Sequence, residues 1–300
     1  MRLSTTTHIF GVIPEGGYIP YKESVQRCFD AGYRVLDIHF CQALGGRTDL
    51  AKDNWQELIE GVREQAEKLG VEFTQSHPVF IGTKDSELKP EMQDNYREMM
   101  RRSIIASSIL GVKWAVLHPI EEKEATLFDV EANLKANHEM HDWVVELAIK
   151  HNVGIAFENM IEGPRTKRRF SAHAGELVAL IDDYQDSKVG ACWDFGHGNF
   201  LYKDQTVALR TLGKRLKATH VNDNDGSDDY HMYPFHGTVD WHKVLPVLAE
   251  IGYEGDFTYE AHKEFTFLPD QLRDTVAKTG VEIGNYCLSI VRGEHAKGTL

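Results

Sequence analysis

Short apolar segments alternate with longer segments of helical periodicity along the whole chain. Several of the apolar segments, among them VLDIHF, WAVLHP, GIAFEN and VGACWDF, are continuous and do not switch regularly between apolar and polar positions. Such runs are typical of strands that are covered on both faces, as in a parallel sheet wrapped by helices. They predict eight strands, at roughly 4–11, 34–40, 71–77, 113–118, 153–158, 189–195, 216–222 and 256–261.

The segments between the predicted strands have the spacing of amphipathic helices. Residues 54–70 place their apolar side chains on one stripe, and Gly70 follows as a stop at the carboxyl end. Eight strand-like runs followed by helix-like runs predict either a closed (β/α)8 barrel or an open doubly wound sheet. Similar helical patterns occupy 91–110, 130–150, 174–184 and 240–253.

Length and motif content favour the barrel. A (β/α)8 barrel typically needs about 250 residues, and the chain has 300. No G-x-G-x-x-G follows the first predicted strand, so an open nucleotide-binding sheet loses support. We therefore predict the α/β class and one (β/α)8 TIM-barrel domain over residues 1–300, with a C-terminal helix at about 268–291.

Composition argues against nucleic-acid and membrane partners. Lys and Arg number 33 against 46 Asp and Glu, and the net charge of −13 repels a phosphate backbone. The evident basic cluster near a strand end is TKRRF at 166–170. No apolar run approaches the length of a bilayer span. The N-terminal region has no apolar segment of signal-peptide length, and the four cysteines lack CxxC or CxH spacing, so we expect a cytoplasmic protein with reduced thiols.

Six consecutive predicted strands end in His, Asp or Glu. Catalytic groups of (β/α)8 barrels come from the carboxyl ends of several strands. Ionisable groups gathered there without compensation would cost several kcal/mol, and a divalent cation would supply the compensation. Carboxylates together with imidazole suit Mn²⁺, Zn²⁺, Co²⁺ or Mg²⁺. The residues are His77, His118, Glu158, Asp194 with His197, His220 and Glu260.

A long connection follows the seventh predicted strand. Residues 222–239 read NDNDGSDDYHMYPFHGTV and include Asp229, His231 and His236. Loops of that length without predicted secondary structure are usually functional or disordered. The Pro, Gly and aromatic residues indicate an ordered turn, so we expect this loop to contribute to the site.

These motifs resemble the xylose-isomerase-like barrel superfamily, which contains sugar isomerases, sugar epimerases and abasic-site endonucleases. The most specific pieces are Glu158 in FENM, the D-x-x-H of Asp194 and His197, His220 in THVND, and Glu260 in YEAH. The resemblance implies that one divalent metal ion is held by Glu158, Asp194, His220 and Glu260. The chain departs from xylose isomerases proper at Asn222, where a Lys is common, so a shorter relative fits better.

The resemblance also implies an activity. It predicts a metal-dependent isomerase or epimerase of a small sugar or sugar phosphate, in which Glu158 and Glu260 are the catalytic acid/base pair. A proton next to a carbonyl would be removed, and the metal would stabilise the resulting enediolate. The resemblance also allows a homo-oligomer. The predicted substrate-binding residues are His77, His118, His197, Asp229 and His231.

Two alternatives stay open within the superfamily, besides a barrel that binds a sugar or metal without turnover. The first is a related keto-inositol dehydratase. The second is a three-zinc phosphodiesterase of the abasic-site endonuclease type, against which the net charge of −13 counts. All nine candidate residues match the ligand pattern of that second class by order and context: His77, His118, Glu158, Asp194, His197, His220, Asp229, His231 and Glu260.

Overall fold

The computed structural model describes residues 1–11, 17–82, 84–122, 128–162 and 168–294. Eight parallel strands form one sheet in the order β7-β6-β5-β4-β3-β2-β1-β8. The strands are β1 (Leu3–Thr6), β2 (Val35–His39), β3 (Glu72–His77), β4 (Trp114–Leu117), β5 (Gly154–Glu158), β6 (Val189–Asp194), β7 (Leu216–His220) and β8 (Phe257–Tyr259). The helices are α1 (Tyr21–Ala31), α2 (Trp55–Leu69), α3 (Pro90–Ile109), α4 (Val130–Lys150), α5 (Ala174–Tyr184), α6 (Phe195–Leu201), α7 (Thr206–Leu212), α8 (Trp241–Glu250) and α9 (Asp270–Val291).

The sheet closes on itself between β7 and β8. Val221 pairs with Tyr259 in an isolated parallel bridge. The amide of Val221 donates to the carbonyl of Thr258 at 2.7 Å, and the amide of Glu260 donates to the carbonyl of Val221 at 3.1 Å. These bonds complete the cylinder, and the prediction of a (β/α)8 barrel is confirmed.

Helix α2 illustrates why the predicted elements form. Trp55, Ile59, Val62 and Ala66 are buried on one face, as the apolar stripe requires. Gly70 ends the helix with a φ of 67° and donates its amide back to the last turn. This left-handed conformation is strained for residues with a Cβ, which is why glycine serves as the stop.

The first strand is shorter than the sequence pattern predicts. A strand over 4–11 is wrong beyond Thr6, because Thr7–Phe10 form a 3-10 turn. The side chain of Thr6 accepts a hydrogen bond from the amide of His8 at 3.2 Å, and this local cap ends the extended conformation. The turn carries His8 to the mouth of the barrel, where it lines the main cavity.

Strand register brings the chemically important side chains to one level. Asp194 of β6 stands opposite His220 of β7, and His39 of β2 stands opposite His77 of β3. Below them the barrel interior is filled by small side chains from β4, β5, β6 and β7. The carboxyl-terminal rim is therefore the place where polar residues from several strands meet. Among the helices of the described segments, none is long and apolar enough to span a bilayer.

Candidate metal centre

A cavity of about 470 Å³ opens at the carboxyl-terminal face of the barrel and is lined by His77, His118, His197, Asp229, His231 and Glu260, among others. A larger cavity of about 690 Å³ opens at the opposite face. There Arg2 forms ion pairs with Glu72 and Asp256. The cluster of histidines and carboxylates therefore lies at the carboxyl-terminal cavity, as expected for a barrel.

Four of the predicted residues converge beneath this cavity, and Glu260 is the one among them that lines it. Glu158, Asp194, His220 and Glu260 each offer a ligand atom, and these atoms all lie within 4.8 Å of one another. Glu158 Oε1 is 2.8 Å from His220 Nδ1, and Glu260 Oε2 is 3.4 Å from the same nitrogen. The four residues are 0, 0, 1 and 7% exposed. We call them the four-residue group.

The donor set of the four-residue group fits a divalent metal ion. Three carboxylates are buried beside a single imidazole, an arrangement that is costly unless a cation balances the negative charge. Glu158 Oε2 is buried without a well-directed hydrogen bond, although His118 Nε2 lies 3.1 Å away. An oxygen-rich set with one nitrogen suits Mn²⁺, Co²⁺ or Zn²⁺, and Mg²⁺ is compatible with the carboxylates.

Amide side chains hold the ligands in place. Asn222 donates to Asp194 Oδ2 at 2.7 Å, so the residue that departs from xylose isomerases has a role in this chain. The other Asp194 oxygen accepts the amide of His197 at 2.7 Å. Asn159 accepts the amide of Asp194 at 2.6 Å and donates to its carbonyl. Partners of this kind orient metal ligands, and the sequence patterns did not single out Asn159.

The remaining predicted residues form two further groups around the first. His77, His118 and Glu158 make one group, in which His77 Nε2 and His118 Nε2 are 3.1 Å apart. His197, Asp229 and His231 make the other, with His231 Nε2 2.7 Å from Asp229 Oδ2. Glu158 belongs both to the first of these and to the four-residue group. All nine predicted side chains therefore meet at one mouth.

Burial and neighbouring charges give the two glutamates, Glu158 and Glu260, different pKa values. Burial favours the neutral form of Glu158, but His220 and His118 outweigh it and hold the pKa of Glu158 well below its usual value. Burial raises the pKa of Glu260 to about 7, against the opposing effect of His220 and His231. Two neighbouring carboxyl groups with such different pKa values are typical of acid/base pairs.

Three further histidines line the cavity that the strand-end pattern missed. His8 and His39 stack with ring centroids 4.1 Å apart, and His262 lies 4.7 Å from His8 and 4.4 Å from His231. Burial lowers the pKa of His8 to about 4 and that of His39 and His262 well below the usual value. His39 is the last residue of β2, so a search for polar residues at strand ends would have included it.

Asp223 organises the long loop after β7. Its carboxylate accepts hydrogen bonds from the amides of Asn224, Phe235 and Val239 at 2.9–3.1 Å and from the indole of Trp241 at 2.8 Å. The loop thereby presents Asp229 and His231 to the cavity. His236 is exposed and contacts Glu264 at 2.6 Å, so it lies outside the site.

Asp223→Ala is expected to lower the free energy of unfolding by about 3 kcal/mol, because several buried donors lose their charged acceptor at once. Denaturant titration measures this loss. Asp225→Ala is the control in the same loop, since Asp225 is exposed and its carboxylate accepts hydrogen bonds from the amide and hydroxyl of Ser227. We expect this control to cost less than about 1 kcal/mol. Equal effects of the two substitutions would contradict the role of Asp223.

The fold and the site define a class of (β/α)8 barrels that gather carboxylates and imidazoles at the carboxyl-terminal mouth. The family model of the xylose isomerase-like TIM barrel matches residues 25–283. The chain belongs to this family.

Sequence relatives exist in two organisms. The chain is 30% identical over 166 residues to the uncharacterized protein y4fM of Sinorhizobium fredii, an alignment that covers 54% of this chain and 51% of that protein. It is 25% identical over 221 residues to the uncharacterized protein MJ1311 of Methanocaldococcus jannaschii, covering 69% and 74%. The chain thus spans about half the length of the first relative and about three quarters of the second.

Several solved structures share the fold over nearly the full length. A D-tagatose 3-epimerase-like protein has a TM-score of 0.75 at 20% identity, covering 99% of this chain and 100% of that one. An L-ribulose 3-epimerase has a TM-score of 0.74 at 14% identity, covering 100% and 99%. The IolI protein with a bound zinc atom has a TM-score of 0.73 at 16% identity, covering 99% and 100%. At these identities the likeness shows the fold.

Proposed function

We propose that this chain is a divalent-metal-dependent isomerase or epimerase that acts on a small sugar or sugar phosphate. The observation that carries the proposal is the four-residue group, buried beneath a cavity of about 470 Å³. That volume lies within the range of small-molecule sites, about 300–1,000 Å³. The sugar 3-epimerases that share the fold, and the zinc atom bound to IolI, support the same class.

Glu158, Asp194, His220 and Glu260 would hold the metal ion. When bound there, a divalent ion supplies Lewis-acid chemistry, because it polarises a carbonyl and stabilises negative charge on the neighbouring oxygens. Glu158 and Glu260 have their carboxylates close together beneath the cavity. One glutamate accepts the proton from carbon, and the other, which is protonated beforehand, donates its own proton to the opposite face of the same carbon for epimerisation or to the next carbon for isomerisation.

The surrounding side chains would position the sugar. His118 and His231 line the cavity. His231 Nδ1 is 2.8 Å from the carbonyl of Glu260 and its Nε2 is 2.7 Å from Asp229 Oδ2, so His231 would meet a sugar hydroxyl together with Asp229. His197 is held with Nδ1 2.8 Å from the carbonyl of Asn159, and its Nε2 lies 3.9 Å from Asp229 Oδ1. Imidazoles held in this way can donate to or accept from sugar hydroxyls. We also propose a cytoplasmic location, which the four free cysteines support.

The proposal predicts exchange of one carbon-bound hydrogen with solvent. Mn²⁺-loaded protein is incubated in heavy water with a panel of ketoses, aldoses and inositol derivatives, and nuclear magnetic resonance measures deuterium at each carbon. We expect uptake at a single carbon next to a carbonyl, because proton removal there is the step that the glutamates perform. Protein that keeps its metal and exchanges hydrogen in no member of the panel would contradict the proposal.

A second candidate is favoured by the grouping of the nine residues. They form four ligand groups, and Glu158, His77, His220 and Glu260 are each shared between two of them. Such an arrangement suits the three-zinc phosphodiesterase of the abasic-site endonuclease type. The net charge of −13 opposes a DNA substrate. Cleavage of duplex DNA containing an abasic site by zinc-loaded protein would favour this candidate over the isomerase.

A further inference from the structure

Arg169 lies on the cavity wall, on the segment that follows β5. In the closed barrel β5 is four strands from β1, so this segment is across the mouth from His8. Arg169 belongs to the basic cluster TKRRF at 166–170, of which residues 166 and 167 lie outside the described part of the chain. No step of the proposed mechanism uses the cationic side chain of Arg169.

The guanidinium of Arg169 has no protein partner within the described segments, whereas its neighbour Arg168 is fully engaged. Arg168 forms ion pairs with Glu162 at 3.0 Å and with Glu176, and it lies 3.8 Å above the ring of Phe128. Arg169 is half-buried, and the carboxylates of Glu121 and Glu158 act on it only through space.

The surroundings of Arg169 make this lack of a partner costly. The lining of the same cavity includes the apolar side chains of Ile120, Met160 and Ile161. Burial removes water from the guanidinium and lowers the pKa of Arg169. A charge placed in such surroundings is destabilising unless a partner is bound. The partner that matches a planar fork of N–H donors is a carboxylate or phosphate.

Among the described residues, Lys263 also lines the cavity, and its positive charge is already paired within the protein. Lys263 donates to the carbonyl of Asp229, and its Nζ is 3.5 Å from Asp229 Oδ2. Carboxylates of Glu121, Asp229 and Glu260 also line the cavity, so away from the metal site an anionic ligand is favoured most beside a cation that has no carboxylate partner. Arg169 is the side chain that offers one.

We infer that Arg169 binds an anionic group of the substrate, a carboxylate or a phosphate, at the end remote from the carbon that loses its proton. The inference rests on the proposed function and narrows its substrate class from sugars in general to sugar acids or sugar phosphates. Arg169 then determines specificity, and the four-residue group performs the chemistry.

The test compares binding of matched probes, so it needs no turnover. Calorimetry of the metal-loaded protein measures the affinity for D-ribose 5-phosphate, D-glucuronate and the neutral sugars D-ribose and D-glucose. We expect the wild type to bind one anionic probe at least about 10-fold more tightly than its neutral counterpart. Arg169→Gln removes this preference, because the affinity for the anionic probe falls to that for its neutral counterpart. Arg169→Lys retains part of the preference, because lysine keeps the positive charge but lacks the planar pair of N–H donors.

Arg168→Gln is the matched control, since it removes the same charge one residue earlier from a guanidinium that already has partners. We expect this variant to keep the preference for the anionic probe. The inference is overturned if the wild type shows no such preference, if Arg169→Gln keeps it, or if both variants lose it equally. Failure of all sugars to exchange hydrogen would instead contradict the proposed function, and the binding result would stand separately.

Discussion

Glu158→Gln is expected to lower the rate of hydrogen exchange from carbon by about 10²- to 10⁴-fold, the range over which a positioned acid or base contributes. The substitution keeps the shape of the side chain but removes the oxygen that accepts a proton. Glu158 Oε1 is 2.8 Å from His220 Nδ1, and Oε2 is 3.1 Å from His118 Nε2, so the lost charge also affects two imidazoles. Single-turnover exchange in heavy water measures the rate.

Two measurements separate lost proton transfer from lost metal. The metal content of Glu158→Gln is determined on the same samples, and sugar binding is followed by calorimetry. Glu260→Gln is expected to act similarly, because it removes the second proton carrier. Glu250→Gln is the control, since Glu250 is exposed and pairs with Arg210. A metal-loaded Glu158 variant that exchanges hydrogen within about threefold of the wild-type rate would exclude Glu158 from catalysis.

Removal of the metal is expected to abolish exchange and to lower the melting temperature by about 10 °C. An ion present at a thousand times its Kd stabilises the native state by about 4 kcal/mol. For domains of about 150–250 residues, a loss of 1 kcal/mol lowers the melting temperature by about 2–4 °C. The physical reason is the buried carboxylates of Glu158, Asp194 and Glu260, which repel each other without a cation. Differential scanning calorimetry before and after chelation measures the shift, and added Mn²⁺ should reverse it.

Metal stoichiometry distinguishes the two proposed functions. One ion per chain agrees with the isomerase, and three ions agree with the phosphodiesterase. His77→Asn is informative because His77 forms a group with His118 and Glu158 and is not one of the four residues, although its ligand atom also lies within 4.8 Å of those of His220 and Glu260. The isomerase predicts one ion in both proteins, whereas the phosphodiesterase predicts a fall from three to two. A melting temperature that does not respond to chelation would contradict a metal centre of either kind.

The fold and the convergence of the four-residue group were accessible from sequence for the same physical reason. Parallel strands of a barrel end at one face, so polar residues that directly follow apolar runs meet there. Glu158, Asp194, His220 and Glu260 all obey this rule. The rule needs only the positions of strand ends and no knowledge of side-chain conformation.

Residues that depend on local turns or on loop paths were not accessible in this way. His8 reaches the mouth because Thr6 caps a 3-10 turn, which apolar periodicity does not report. Asn159 acts through backbone contacts to Asp194 that depend on how neighbouring strands align. Arg169 follows β5 by 11 positions, and no spacing rule fixes the direction of a side chain in an irregular segment. His262 is only two residues beyond Glu260, but a pattern alone does not distinguish it from a surface histidine.

The junction between β7 and β8 has a mechanical consequence. It is held by the bridge of Val221 with Tyr259, and its two neighbours in sequence are His220 and Glu260. An ion bound to both side chains would act as a clasp across the junction. The ion would then reinforce the one junction of the described sheet that is joined by a single bridge and not by a ladder of paired residues, and its loss would weaken the closure of the barrel as well as the site.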